Sequence, residues 1–309
     1  MATDKIVMQP KIQVFLLTYN RPEYVKDAIS SILNQDYDDF ELIVSDNSTD
    51  SKTEELLKDI KHPKFKYLKR TPSLPSIEHF FKCIHEVTSE YFVLFHDDDM
   101  MMTDYLSKVI TALENNPSIA AAGTNCYFIY GNKQSKDVSF PEKNSKEELF
   151  DDIDKFVSNY LLFKPLAAYP SYMYRASFIK GIFLNINHGG KHSDVTFLMD
   201  ILKRGKILWL MEPLIKYRIH SGQDSQKNEI HDRLSLLRYI YIQTSITRHS
   251  PEAMNYRRVA WCNWLKYSFQ KNLKKHPKRY VKVFKYMLPY LIRNKWNQIS
   301  KFFNLNKIN

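Results

Sequence analysis

Cysteine is scarce in this chain, acidic residues stop at Glu252, and no apolar run approaches membrane-spanning length. Each absence excludes something. Cys83, Cys126 and Cys262 are too few and too widely spaced for a disulfide framework or a zinc site, and they fit a reducing cytoplasm. A spanning helix needs roughly 20 consecutive apolar residues, which the chain does not offer. The first residues, Met1-Ala2-Thr3-Asp4-Lys5, carry no secretory apolar segment. Internal repeats and low-complexity tracts are also lacking.

What is there is a chain of 309 residues with 44% hydrophobic content. That is enough for one large domain, or for a catalytic domain with an appendage. The formal charge of +11 is unevenly spread. Residues 253–309 hold 14 of the 45 Lys and Arg and no Asp or Glu, so the first 252 residues are close to neutral. A block of one sign suits a polyanion or an anionic lipid surface.

Strands and helices alternate through the first half. Ile12 to Leu17 reads as a strand closed by Thr18-Tyr19-Asn20-Arg21-Pro22, and Pro22 suits the first turn of the helix that follows. A strand from Phe40 to Ser45 ends at Asp46-Asn47-Ser48-Thr49-Asp50. A helix around 51–60, a strand around 65–69 and a helix around 76–88 lead to a strand at Tyr91–His96. Beyond it the pattern predicts a helix at 103–116, a strand at 119–124, a polar loop or hairpin at 131–145 and a helix at 146–162. An amphipathic helix from Asp194 to about Arg204, strands at 207–211 and 214–219, and helix beyond about 227 complete it. Such alternation predicts a mostly parallel α/β sheet flanked by helices, with ligands beyond the carboxyl ends of its strands. The polar clusters at 18–21, 46–50 and 97–99 all fall at such ends.

The last of these is the most telling. A buried strand runs into three consecutive carboxylates, Asp97-Asp98-Asp99. Like charges at close range resist ionising together. A divalent cation removes that cost, and Mg²⁺ or Mn²⁺ bound by one or two carboxylates is completed by substrate phosphates.

Taken in order, Val14 to Pro22, Glu41 to Asp50, Asp97-Asp98-Asp99, Ser193-Asp194-Val195-Thr196-Phe197-Leu198 and Tyr217 to Gln223 resemble the family 2 glycosyltransferases. These are inverting, nucleotide-sugar-dependent enzymes of the GT-A fold, and the likeness covers about residues 11–223. The resemblance implies a Rossmann-like GT-A domain over 1–225, its nucleotide-binding part at about 11–100 and its acceptor-binding part at about 101–225. A basic helical region would occupy 226–309. It implies that Thr18, Tyr19, Asn20 and Arg21 flank the base and ribose, and that Asp46, with Asn47 beside it, accepts a hydrogen bond from the base. It further implies that Asp97 lies near the ribose and metal, that Asp99 binds Mn²⁺ or Mg²⁺ with Asp98 assisting, and that His220 adds an imidazole. Arg218 and Gln223 would contact diphosphate oxygens, with Lys69 and Arg70 as further candidates. Asp194 would be the general base that deprotonates the acceptor hydroxyl. Asp46 and Asp194 also suit helix N-caps. Acceptor contacts are expected from 165–192, with Tyr169, Tyr172, Tyr174, Arg175 and His192 as candidates, although those tyrosines equally suit a core. Two departures stand out: Ser193 precedes Asp194 where relatives carry Glu, and residues 71–82 lack the family's Gly and Asn.

In the tail, Val281, Phe284, Leu288 and Leu291 share one helical stripe beside Lys275, Lys278, Lys282 and Lys285. A basic amphipathic helix reads as attachment to an anionic membrane surface. The expected protein is cytoplasmic, peripheral at the inner face of the plasma membrane, and acts on a nucleotide-sugar donor and a glycan or lipid-linked glycan acceptor. A nucleotidyltransferase is the rival enzyme, but the loop at 18–22 lacks the Gly-rich phosphate loop it needs. Nucleic-acid binding through the tail is the rival of another class, and no such partner is expected without a recognised module.

Overall fold

In this computed structural model, residues 9–131, 133–139, 145–183, 185–220 and 230–272 are described, with side chains as far as Trp264. The first half is β1 (Ile12–Thr18), α1 (Pro22–Leu33), β2 (Phe40–Asp46), α2 (Lys52–Leu57), β3 (Phe65–Lys69), α3 (Ser76–His85), β4 (Tyr91–His96), β5 (Met100–Met101) and α4 (Tyr105–Glu114). The second is β6 (Ile119–Tyr130), β7 (Lys133–Val138), β8 (Glu147–Phe150), α5 (Ile153–Leu161), β9 (Met173–Arg175), α6 (Ala176–Ile179), α7 (Ser193–Leu202), β10 (Lys206–Ile219), α8 (Ile230–Gln243) and α9 (Pro251–Asn272).

The strands form a ten-stranded sheet in the order β3-β2-β1-β4-β9-β6-β10-β5, with β7 on β6 and β8 on β10. β3, β2, β1 and β4 are parallel, whereas β9 enters antiparallel between β4 and β6. β1 is buried along its whole length because both sheet faces are covered. Phe15 and Leu17 enter one core layer, and Ile12, Val14 and Leu16 enter the other. Register then sets the site: Thr18 lies opposite Asp46, and Leu17 opposite His96, so the three polar clusters emerge side by side.

Three expectations need correction. Residues 147–150 extend antiparallel along β10, and the helix begins only at Ile153, where the Asp152 carboxylate accepts from the Asp154 N–H at 2.8 Å. Phe150 decides this: it is buried against Trp209, with ring centroids 4.4 Å apart, which a strand on β10 permits. The strands at 207–211 and 214–219 are one strand, β10, irregular in register around Pro213, where a residue without an N–H is tolerated. The strand at 119–124 runs on to Tyr130 and turns back as β7, the hairpin alternative for 131–145.

The C-terminal helices are not free of the α/β unit. Leu236, Leu237, Tyr239 and Ile240 of α8, and Ala253 and Tyr256 of α9, are buried in the same core layer as Phe156 and Trp209. The amphipathic stripe at 281–291 lies outside the described residues. Among the described residues no helix is long and apolar enough to cross a membrane.

Candidate active site

The loop after β1 folds back onto the ends of β2 and β4. Asn20 takes φ 52°, a left-handed conformation that Asn adopts more readily than most residues. Its backbone N–H donates to Ser48 Oγ at 2.8 Å and its Oδ1 accepts from the Thr49 N–H at 3.0 Å. The Tyr19 N–H reaches Asp97 Oδ2 at 3.3 Å and leaves the ring half exposed, free to stack on a base. Arg21 pairs with Asp98 and lies 3.4 Å from Asp97 Oδ1.

The acid triplet is buried and its members differ. Burial pushes Asp97 up to about 6 against the pull of Arg21. Asp98 is held below the usual carboxylate range: burial opposes ionisation there, but His96, Arg21 and His220 outweigh it. His220 Nε2 lies 3.0 Å from Asp98 Oδ2. Asp99 is 1% exposed and pushed well above the usual range by burial and then by Asp98. Its Oδ1 accepts from the Arg218 N–H at 2.9 Å, while Oδ2 lies 3.8 Å from His96 Nδ1 and has no hydrogen-bond partner among the described residues. A buried carboxylate oxygen without a donor costs free energy unless something else supplies positive charge. Ligand atoms of His96, Asp98 and Asp99 lie within 4.8 Å of one another, a donor set that fits a divalent cation. Of the expected ligands, Asp99 falls in this group; Asp97 accepts from the Tyr19 N–H and lies 3.4 Å from Arg21, and the imidazole grouped with the acids is His96, while His220 contacts Asp98.

Several expected contacts are occupied within the protein. Asp46 is fully buried, accepting from Ser48 N–H at 2.8 Å, Tyr67 Oη at 2.6 Å and Lys69 Nζ at 3.0 Å. Burial works against ionisation there, but these donors outweigh it and hold the carboxyl low. Both oxygens are engaged, and Asp46 braces the loop. Asn47 likewise holds the loop at Leu74, donating from Nδ2 to its carbonyl at 2.8 Å and accepting from its N–H at 2.7 Å. Arg70 is clamped by Glu86 and donates from Nε to Ser45 Oγ at 2.8 Å. Arg218 is 3% exposed, donates from Nε to the Asp98 carbonyl at 2.8 Å and packs over the Tyr24 ring, so it fastens the triplet and does not face a diphosphate. Gln223 lies outside the described residues.

Asp194 opens α7 and lines a cavity of about 260 Å³. The wall is aromatic and aliphatic, with Tyr160, Tyr169, Tyr172, Tyr217 and Phe156 among its members. Asp194 Oδ1 accepts from the neighbouring Val195 N–H at 2.9 Å, and no side-chain donor reaches it among the described residues. Burial pushes it up to about 6, an acidity suited to a general base near neutral pH. Two contacts tie this cavity to the acid triplet. Cys126 lines it and feels the Asp99 charge, and Tyr169 lines it with its ring 6.3 Å from that of His96.

Tyr172 and Tyr174 are not an open platform. Both are fully buried, and Tyr174 stacks between Tyr172 and Phe92. Tyr172 shows the cavity its ring while its Oη accepts from Trp209 Nε1 at 2.7 Å. Arg175 donates to Tyr91 Oη and to the Ile119 and Leu113 carbonyls, at the opposite end of the sheet. His192 is bound by Tyr160 Oη at 2.9 Å. The sequence reading passed over His96 as the last residue of its strand. Its signal was the position: it directly precedes the acids and faces the other side of the sheet from Phe95.

Comparison with known proteins agrees with this geometry. The family model for glycosyl transferase family 2 matches residues 13–172. An uncharacterized glycosyltransferase of Methanocaldococcus jannaschii is 29% identical over 215 residues, 68% of this chain and 71% of that protein. The Campylobacter jejuni GalNAc(5)-diNAcBac-PP-undecaprenol beta-1,3-glucosyltransferase is 27% identical over 133 residues, 42% of each chain. Among solved structures, S. aureus TarS 1–349 in complex with UDP-GlcNAc superposes with TM-score 0.53 at 15% identity, covering 83% of this chain and 81% of that one. The mannosyltransferase PcManGT of Pyrobaculum calidifontis, in complex with GDP-Man and Mn²⁺, gives TM-score 0.52 at 14% identity over 94% of this chain and 88% of its own. With a strand-end acid triplet on a GT-A sheet and a family match across just over half of its length, the chain belongs to glycosyl transferase family 2.

Proposed function

We propose that the protein is a metal-dependent inverting glycosyltransferase that moves a hexose or N-acetylhexosamine from a UDP-linked donor to a hydroxyl of a glycan acceptor. The observation that carries this reading is Asp194: a carboxylate held near 6 that lines an aromatic cavity, whose lining residues Cys126 and Tyr169 neighbour Asp99 and His96. In its ionised form Asp194 takes the proton from the acceptor hydroxyl as that oxygen attacks the anomeric carbon on the face opposite the nucleotide. The aromatic wall offers apolar surface to a sugar ring and keeps water from competing as the nucleophile. Tyr19 stacks on the base, and Arg21 steadies the ionised Asp98.

His96, Asp98 and Asp99 would hold the cation, with His220 fixing Asp98. Held by these residues, a divalent ion would supply positive charge to the leaving diphosphate. Mn²⁺ in the PcManGT complex and UDP-GlcNAc in the TarS complex support a metal and a nucleotide-sugar donor of this class. The acceptor is a lipid-linked glycan of a growing surface polysaccharide, met at the inner face of the membrane through the basic C-terminal region. Support comes from the undecaprenol-linked acceptor in the name of the Campylobacter relative and from the absence of acids beyond Glu252.

Thermal stabilisation by a panel of nucleotide sugars with Mn²⁺ tests the donor. A UDP-sugar should raise the midpoint by mass action, and no response to any nucleotide sugar with any divalent ion refutes the enzyme reading. Sedimentation with anionic liposomes, full chain against a 1–270 truncation, tests the membrane; equal binding refutes attachment through the tail.

A further inference from the structure

Helices α8 and α9 reach the wall of the Asp194 cavity through a line of hydroxyl groups. Arg233 on α8 donates from Nη1 to Tyr256 Oη at 3.0 Å. Tyr256, fully buried on α9, lies 3.4 Å from Tyr160 Oη, and Tyr160 Oη lies 2.9 Å from His192 Nδ1. A guanidinium only donates. The Tyr256 oxygen therefore accepts from Arg233, while the Tyr256–Tyr160 and Tyr160–His192 contacts can each run in either sense of donation. Burial pushes His192 down to about 4, so the imidazole at the end of the line is neutral near pH 7 and the Tyr160 hydroxyl sets which ring nitrogen carries its proton.

The position of His192 gives the chain its meaning. It is the N-cap of α7, and Asp194 is the second residue of that helix. Tyr160 and Asp194 line the same cavity, and both Tyr160 and Tyr256 feel the Asp194 charge. A second set of α8 contacts holds the segment that leads into α7. Asp232 accepts from the Lys191 N–H at 3.2 Å, Ser235 Oγ donates to the Asn187 carbonyl, and Tyr239 stacks on His188 with centroids 4.5 Å apart. Gly190 admits this approach, since a Cβ there would stand 2.2 Å from Asp232 Oδ1.

We propose that Arg233, Tyr256, Tyr160 and His192 form a positioning chain through which the two C-terminal helices hold the start of α7, and with it the Asp194 carboxylate, against the acceptor hydroxyl. The inference rests on the general-base role of Asp194. It makes α8 and α9 part of the catalytic unit, whatever the tail beyond them binds.

Tyr160→Phe and Tyr256→Phe in the full chain test it, because each keeps the ring and removes only the hydroxyl. Turnover should fall about 10- to 100-fold, as misplacement of a reacting group predicts, while donor KM and the affinity for UDP with Mn²⁺ stay unchanged. The acid limb of the kcat–pH profile, near 6 in the wild type, should move down as water reaches the carboxylate. The titratable groups facing Asp194 are Tyr160, Tyr169, Tyr172 and Tyr256, whose ionisation lies far above that limb. Nitrogen-15 spectra of labelled histidine give a reading independent of activity: His192 holds one neutral tautomer, set by the Tyr160 hydroxyl, in the wild type and loses that preference in Tyr160→Phe. Variants with wild-type kcat and an unmoved limb overturn the proposal, as does a His192 tautomer that ignores the Tyr160 hydroxyl. A wild type that turns over no nucleotide sugar would instead refute the enzyme reading, while the histidine spectra still report on the chain.

Discussion

The two ends of the site desolvate carboxylates and treat them in opposite ways. At the nucleotide end, Asp98 sits among Arg21, His96 and His220 and stays ionised. At the acceptor end, Asp194 is surrounded by tyrosines and aliphatic side chains and floats up to about 6. Desolvation acts on both, and at the acid triplet Arg21 supplies a fixed positive charge beside Asp98. In the proposed function the difference separates the two tasks: one group of acids would hold a cation, and the other acid would exchange a proton near neutral pH.

The comparison is broken most severely at Asp194. Asp194→Asn should lower turnover by about 10²- to 10⁴-fold, the usual weight of general-base catalysis, with nucleotide affinity unchanged by calorimetry. Strong residual transfer would disqualify it. At the other end, Asp99→Asn removes the charge of the carboxylate whose Oδ2 has no hydrogen-bond partner among the described residues. It should abolish the response of the melting temperature to Mn²⁺ and weaken metal-dependent UDP binding, and wild-type Mn²⁺ affinity would refute the ligand role.

A smaller effect uses pH. Asp97 and Asp194 are both raised to about 6 in the folded chain, against about 3.9 when unfolded. The folded state therefore holds extra protons between about pH 4 and pH 6, and its stability falls as pH rises through that window and stays lower above it. Metal competes with protons for the triplet. Mn²⁺ should accordingly raise the melting temperature more at pH 7.5 than at pH 5, and an equal gain at both values would count against a metal site built on these acids. The mildest test concerns the cavity wall. A Cβ at Gly123 would stand 2.7 Å from the Tyr172 ring. Gly123→Ala should cost about 1–3 kcal/mol in denaturant unfolding, as overpacking does.

The parallel half of the molecule was legible because its signals are local. Apolar strands such as Ile12–Leu17 end in polar clusters, and helix spacing begins again after each. The acceptor half was harder to read. Glu147–Phe150 is a strand only because β10 offers it an edge, and nothing within four residues distinguishes it from the start of a helix. Asp46 and Arg218 read as ligand contacts by position. Their actual partners, Tyr67, Lys69 and the Asp98 carbonyl, belong to neighbouring strands and turns that no spacing rule names. Tyr172 and Tyr174 carried two readings, and burial chose the core.

By itself the sequence determined the alternation of strands and helices, the three polar clusters at strand ends and the carboxylates that mark the family, because period and residue type are written along the chain. Tertiary structure alone decided which of those polar groups remain available and which are spent on one another. It also decided that Arg233 and Tyr256, distant in sequence, stand behind Asp194. A hydrogen bond or a dry cavity depends on partners brought together from remote segments, and only the folded chain sets those distances.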